Sequence, residues 1–286
     1  QPPELSTEAR ALEARLVSLF DGHDLRMPPM PRVAERVLTR LRDKNSNMHQ
    51  IANDLAEDQV SAADVLRLAN SVLYRGTTKI TSLQAAVTRL GTQVIKTLML
   101  HHSLRAATFP VKGNNGHYAE MLWQRSLAAG CVMRELAPLV HLDADNAFLL
   151  GLMHDIGNVI VLRTALEQKR LTHEWLDADS FEYLCYETHQ EFGELIADEW
   201  QLPADMRSLL CDHHSIPDDD DPLRRQRLLL ILTNMINQML GYGPAAAYDL
   251  ENSIAARALG LSGHSAFARC LAAMPEKIEE TLESYA

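Results

Sequence analysis

Residues 148–157 read Phe148-Leu149-Leu150-Gly151-Leu152-Met153-His154-Asp155-Ile156-Gly157, an apolar run that carries a histidine and an aspartate. They lie in the middle of a predicted helix from Ala144 to Ala165 that is apolar on nearly every side. A helix of that kind is usually buried. A carboxylate in such a helix is costly unless it is paired or binds a metal ion. The His154-Asp155 pair therefore predicts a functional site, and imidazole with carboxylate suits Zn, Mn or Fe.

Further candidate ligands lie later in the chain. Two adjacent ligands cannot complete a metal site, so others must converge from distant helices. His189 is expected to open a helix, and His213-His214 to end another. The alternative is that these histidines cap helix ends and donate hydrogen bonds to carbonyl groups, with no metal involved. The residues alone leave both interpretations open.

The rest of the chain also predicts helices, because apolar residues recur at spacings of three and four. One predicted helix begins at Arg32, Ser46 or Asn47 can cap another, and Ser61 can cap the next. The remaining predicted helices span residues 5–20, 82–90, 92–107, 118–139, 192–200, 205–213, 223–240, 250–259 and 266–284. A stop is predicted at residues 27–31 and a loop at residues 112–116. No alternation of strands and helices is visible, so the fold class is all-α.

The composition is that of a soluble globular protein. The chain has 286 residues, of which 47% are hydrophobic and 23% charged, and its formal net charge is −11. An acidic chain repels a phosphate backbone, so the charge disfavours nucleic-acid binding, although residues 51–70 have the spacing of a helix-turn-helix. Between Asp177 and Asp221 fourteen acidic residues face one basic residue, Arg207. This window is either a solvated acidic face or a field that attracts cations or a basic partner.

The cysteine and hydropathy patterns predict a cytoplasmic protein. The four cysteines form no CxxC pair and are expected to be reduced core thiols. No apolar run was found to reach the 18 or so residues of a membrane span, so no membrane is expected. The chain begins at Gln1 without a secretion signal, and we expect an upstream domain to precede it.

Several ordered motifs give the chain a resemblance to a known family. They are Met27-Pro28-Pro29-Met30-Pro31, Leu66-Arg67-Leu68-Ala69-Asn70-Ser71, Ile80-Thr81-Ser82-Leu83, Leu122-Trp123-Gln124-Arg125-Ser126, residues 151–157, and Trp200-Gln201-Leu202-Pro203 followed by His213-His214. Over about residues 27–240 the chain resembles the HDOD domain, a bacterial output domain related to HD-superfamily phosphohydrolases. The resemblance implies an HD-like helical bundle with an additional N-terminal helical lobe. The implied units are an N-terminal helix at 1–22 that could link to a missing upstream domain, the N-terminal lobe at 23–110, the HD-like lobe at 117–240 and a C-terminal helical extension at 241–286.

The resemblance also implies a degenerate site. Catalytic HD enzymes hold metal with a histidine on an early helix, the His-Asp pair and a later aspartate. Here Arg125 and Asn234 fall at the first and last of those positions, so only His154 and Asp155 match. The degenerate site is therefore Arg125, His154, Asp155 and Asn234, with no catalytic residue. His189, His213 and His214 match positions that bind a further ion in related two-metal enzymes, so a metal, if bound, would use these three with His154 and Asp155.

The two replacements led to a hypothesis about charge. A guanidinium is a permanent cation and cannot be a ligand, so Arg125 was expected to pair with Asp155 in place of a metal. No cofactor is then needed. The implied function is a noncatalytic signal-transduction domain that contacts other signalling proteins or an upstream receiver or sensory domain, or that binds a ligand in the degenerate pocket. The alternative is a metal-dependent phosphohydrolase.

Overall fold

The computed structural model describes residues 5–22, 30–74, 76–108 and 116–285, and in these ranges the chain is helical without any strand. The all-α prediction is confirmed. The predicted stop at 27–31 and the predicted loop at 112–116 fall mostly outside the described residues. The helices are α1 (Thr7–Gly22), α2 (Arg32–Arg42), α3 (Met48–Ala56), α4 (Gln59–Asn70), α5 (Leu83–Thr108), α6 (Gly116–Leu136), α7 (Ala144–Met153), α8 (Asn158–Thr172), α9 (Ala178–Glu199), α10 (Ala204–Cys211), α11 (Arg224–Met239), α12 (Ile254–Ala258) and α13 (Ser265–Tyr285), with a 3₁₀ turn at Ala137–Val140.

Local signals set where the early helices begin. Asn47 caps α3 as predicted, accepting from the Gln50 N–H at 3.0 Å while the Gln50 side chain accepts from the Asn47 N–H at 3.0 Å. The predicted Ser61 cap is wrong. Asp58 caps α4 by accepting from the Ser61 N–H at 2.8 Å, so the helix begins at Gln59 and Ser61 lies inside its first turn.

The long helix α5 consists of two segments, as the sequence predicts. Gly91 has φ 76° and ψ 171°, which no helical residue adopts, and this bends the chain between the segments. Glycine supplies the positive φ because it has no Cβ to clash.

The predicted single helix at 144–165 is wrong, and the error concerns the site itself. The helix is interrupted at residues 154–157, between α7 and α8. There the backbone hydrogen bonds join residues three apart, for example from Ile156 N to Met153 O at 3.0 Å. Gly157 explains the break. A Cβ there would lie 1.9 Å from the carbonyl oxygen of His189, so the turn packs directly against the backbone of α9. Apolar periodicity cannot reveal such a contact.

Most of the helices share one core, and two names serve for reference. We call α2–α5 the N-terminal lobe and α6–α11 the HD-like lobe; one continuous apolar cluster runs through both, and a second lies beneath α11–α13. In the segment with helix-turn-helix spacing, α3 and α4 pack their buried faces on α5. Helix α1 lies on α8 and α9, with Leu12 and Leu16 fully buried.

The central segment of the HD-like lobe has a membrane-like composition. By length and composition, Ala144–Thr172 could cross a membrane, which corrects the expectation that no stretch would qualify. In the fold, 89% of its most apolar window is buried among the other helices. Its apolar residues supply the core of the bundle.

Candidate metal and ligand site

Five residues from three parts of the chain meet at one end of the HD-like lobe. His154 and Asp155 come from the turn after α7, His213 and His214 from the segment after α10, and His189 from α9. The prediction that His189 opens a helix is wrong. Helix α9 begins eleven residues earlier, at Ala178, because Asp177 caps it by accepting from the Ser180 N–H at 2.8 Å. His189 is therefore held rigidly inside a helix.

The histidine rings are oriented by backbone carbonyl groups. Nδ1 of His154 lies 2.7 Å from the carbonyl oxygen of Gly151. Nδ1 of His189 lies 2.8 Å from the carbonyl oxygen of Cys185, and Nδ1 of His213 lies 3.1 Å from that of Leu209. A carbonyl can only accept, so each Nδ1 carries the donated proton. In a neutral ring, Nε2 then carries no proton and has a free lone pair. The carbonyl bonds foreseen as the metal-free alternative are thus present, and they also aim the Nε2 atoms inward, as in metal-binding histidines.

The inward-facing atoms crowd around a common point. His189 Nε2 lies 3.2 Å from His213 Nε2 and 3.0 Å from His214 Nε2, and Asp155 Oδ1 lies 3.5 Å from Nε2 of both His189 and His213. Lone pairs at these separations repel unless a cation or a proton lies between them. Ligands of a tetrahedral ion with bonds of about 2.0–2.1 Å are about 3.3 Å apart. Two overlapping donor sets therefore have the spacing of ligands to a small divalent ion: His189, His213 and His214 form one, and His154, Asp155 and His213 form the other.

His154 is held differently. Its Nε2 lies 3.0 Å from the Asn234 side-chain oxygen and 3.3 Å from Asp155 Oδ1. Nδ1 already donates to Gly151, and the Asn234 side chain is the hydrogen-bond partner of Nε2. An aspartate at that position would leave a bare Nε2 without a donor.

The expected Arg125–Asp155 ion pair is wrong. Arg125 on α6 instead donates through Nη2 to Glu182 on α9, at a very short separation, and both side chains are largely buried. Asp155 is already surrounded by three imidazoles. Burial alone would lower the pKa of Arg125, but Glu182 and, less strongly, Asp155 raise it. Glu182 was missed by the sequence reasoning, although its place seven residues before His189 puts both on one face of a helix.

The site also sets the charge of its members. Burial would raise the pKa of Asp155, but His154, His189 and His213 outweigh it and hold that pKa well below its usual range. Burial lowers the pKa of His213, and it lowers the pKa of His214 to about 3 with help from the neighbouring imidazoles. At neutral pH the site therefore presents a carboxylate and neutral rings at His213 and His214, the protonation states that metal binding requires.

The site opens into a cavity of ≈ 250 Å³, which we call the site cavity. Asp155, Arg125 and Glu182 line it on one side. Residues 242–248, which follow α11, form another wall with Tyr242 and Tyr248, and Tyr248 donates to the Gln238 side chain. The segment after residue 240 therefore completes the cavity, which the sequence did not indicate.

One further residue anchors the ligands. Arg227 on α11 is buried and donates to the carbonyl oxygen of Asp212 and, through Nε, to Asp221 at 2.7 Å. It also donates to the Ser208 hydroxyl at 2.8 Å. These bonds tie the segment that carries His213 and His214 to α11.

The chain was compared with protein-family models and with known proteins. The family model for the HDOD domain matches residues 27–216. A curated Treponema pallidum (strain Nichols) protein named only as uncharacterised is 21% identical over 226 residues, which is 75% of this chain and 42% of that protein. The chain thus spans about two fifths of the curated relative it matches.

Solved structures share the fold. A Shewanella amazonensis SB2B protein, provisionally described as a metal-dependent phosphohydrolase, is 19% identical with a TM-score of 0.79 over 98% of this chain and 100% of that one. A Geobacter sulfurreducens HDOD domain protein of unknown function is 22% identical with a TM-score of 0.70, over 96% and 99%. A Marinobacter aquaeolei VT8 protein, provisionally described as a signal transduction protein, is 18% identical with a TM-score of 0.68, over 99% and 66%. At these identities the likeness concerns the fold alone.

Proposed function

This chain belongs to the HDOD family, and on that premise we propose that it is a noncatalytic signal-transduction domain. It acts through contacts with other signalling proteins, or with a receiver or sensory domain, and its site cavity is available to a ligand. It does not hydrolyse phosphate esters.

The observation that carries the proposal is the bonding of the two replaced positions. Arg125 is paired with Glu182, and Asn234 engages Nε2 of His154. Both groups satisfy partners inside the protein, so the half of the site that would correspond to the HD metal core is held together without an ion. A catalytic metal core needs open coordination positions for water and substrate.

The test is a hydrolysis screen with a matched control. Purified chain is assayed with bis(p-nitrophenyl) phosphate, p-nitrophenyl phosphate and nucleoside mono-, di- and triphosphates, with Mn²⁺, Zn²⁺ or Fe²⁺ added. We expect no turnover above that of Asp155→Ala. Metal-dependent turnover that Asp155→Ala abolishes and Asp179→Ala retains would overturn the proposal. Asp179 is exposed in the first turn of α9 and touches nothing in the site.

A second candidate, a metal-dependent phosphohydrolase, is favoured by the convergence of Asp155 with His189, His213 and His214. A divalent ion on these residues would polarise a phosphate and activate a water molecule. Arg125 lines the same cavity and can orient a phosphate oxygen. Metal analysis separates the cases. If the wild-type chain binds metal and turns over substrate, and His213→Ala loses both, the result supports the enzyme. If the chain binds metal but shows no turnover, the result supports a regulatory domain whose site is stabilised by metal.

A further inference from the structure

A second cavity lies between the two lobes and shares no lining residue with the site cavity. Its volume is ≈ 350 Å³. Its walls come from α6, α7, α10 and α11 and are mostly apolar, including Met133, Ala147, Leu150, Met206, Leu209 and Leu223. Lys96 faces these walls from α5 of the N-terminal lobe. We call it the Lys96 cavity. Small-molecule sites are typically apolar clefts of about 300–1,000 Å³ with a few placed polar groups.

Lys96 is a cation without a counter-charge. It is half-buried, and no carboxylate among the described residues forms an ion pair with it. Its charged neighbour is Arg42, which lies close enough to lower the pKa of Lys96 further after burial has lowered it. Arg42 itself donates only to Gln201 and to the carbonyl oxygen of Trp200, among the residues the structure describes. Among the described residues neither cation forms an ion pair, so both charges lack a contacting counter-ion.

The acidic residues at the rim do not fill this need. Asp143 and Asp205 line the opening and are exposed. The Asp143 carboxylate caps α7, accepting from the Asn146 N–H at 2.8 Å, and its exposure lets water screen its negative charge. Asp205 lies in the first turn of α10, where the helix dipole favours it.

From this arrangement we propose that the Lys96 cavity binds a medium-chain aliphatic carboxylate. Its carboxylate accepts a charge-assisted hydrogen bond from Lys96 Nζ, and its hydrocarbon chain lies along the methionine and leucine walls. Other classes of ligand do not fit this cavity. A nucleotide or sugar carries more polar groups than the few polar side chains of the lining, among them Asn146 and Gln226, can bond. A neutral lipid would leave Lys96 uncompensated, and an aliphatic amine would be repelled by it.

The experiment is calorimetric titration of the full chain with decanoate below its micelle concentration. Decanol and decylamine serve as neutral and cationic probes of equal length. We expect decanoate to bind at one site and more tightly than either of them. Lys96→Met keeps the apolar stem and should weaken decanoate binding about tenfold, since a hydrogen bond to a charged group is worth that order. Lys79→Met, at an exposed lysine, should leave binding unchanged.

A second measurement locates the ligand without any variant. With methyl-¹³C methionine, decanoate should shift the signals of Met133 and Met206, which line the cavity, and not that of exposed Met239. Absence of decanoate binding, binding no tighter than decanol, unchanged affinity in Lys96→Met, or shifts elsewhere would each overturn the proposal. None of these readouts involves metal or turnover, so the result is independent of the function proposed for the histidine site.

Discussion

The pairing of Arg125 can be measured in solution with double-mutant cycles. Arg125 donates to Glu182, and both side chains are mostly removed from water, with 10% and 19% of their surface exposed. Arg125→Met removes the charge and keeps most of the volume, and Glu182→Gln and Asp155→Asn remove one negative charge each with little change of shape. The free energy of unfolding of each single and double variant is obtained from urea titrations followed by circular dichroism.

The magnitudes follow from the geometry. A charge-assisted hydrogen bond between largely buried groups contributes about 2 kcal/mol, so the coupling energy between Arg125 and Glu182 should be about that size. Arg125→Met and Glu182→Gln each leave a partly buried charge unpaired, so each should destabilise the fold by about 2–4 kcal/mol. Asp155 acts on Arg125 only through space, and its coupling should stay below about 1 kcal/mol.

The two cycles distinguish the observed pair from the one predicted by charge balance. A coupling energy with Asp155 that equals or exceeds the coupling energy with Glu182 would refute the assignment. So would a Glu182 coupling indistinguishable from zero, since neighbours in contact are expected not to be additive.

Three further predictions concern Gly157 in the turn after α7, His101 in α5, and Asn234 beside His154. Gly157→Ala should lower the free energy of unfolding by about 3 kcal/mol or more, because the new Cβ would overlap the backbone of α9. In Gly193→Ala the new Cβ makes only ordinary contacts, so the loss measured by urea unfolding should be less than about 1 kcal/mol. Burial holds the pKa of His101 well below 6.5. As pH falls below about 6.5 the unfolded state therefore binds more protons than the folded state, and the free energy of unfolding decreases. His101→Phe should reduce this pH dependence of the urea midpoint between pH 7.5 and 5.5, and an unchanged dependence would contradict the prediction. Asn234→Asp should raise the affinity for Zn²⁺ and lower the stability of the metal-free protein, because it adds a carboxylate beside Asp155; metal titration and thermal unfolding of the same samples would show both effects or contradict them.

Some of the fold and the site could be predicted from short-range patterns. The all-α class, the capping of α3 by Asn47 and the bend at Gly91 each depend on a few neighbouring residues and the period of the helix. The five metal-ligand candidates were found because histidines and a carboxylate near an apolar helix are chemically conspicuous. The structure brings all five together.

Other features could not be predicted, because distant helices decide them. The break at residues 154–157 follows from how closely Gly157 packs on α9, and apolar residues continue through it unchanged. Arg125 is 57 residues from Glu182 in the sequence, and charge balance alone favoured the wrong carboxylate.

The sequence by itself determined that this chain is a helical HDOD protein, with Arg125, His154, Asp155 and Asn234 as candidate site positions, because helical periodicity, caps and motifs are local in the chain. Only the tertiary structure decided which groups those positions contact. Packing of α6 against α9 assigns Arg125 to Glu182, and carbonyl groups on three separate segments turn the imidazoles so that their Nε2 atoms meet. A side chain's partner depends on the distance and direction set by the whole bundle, and residue identities alone contain neither.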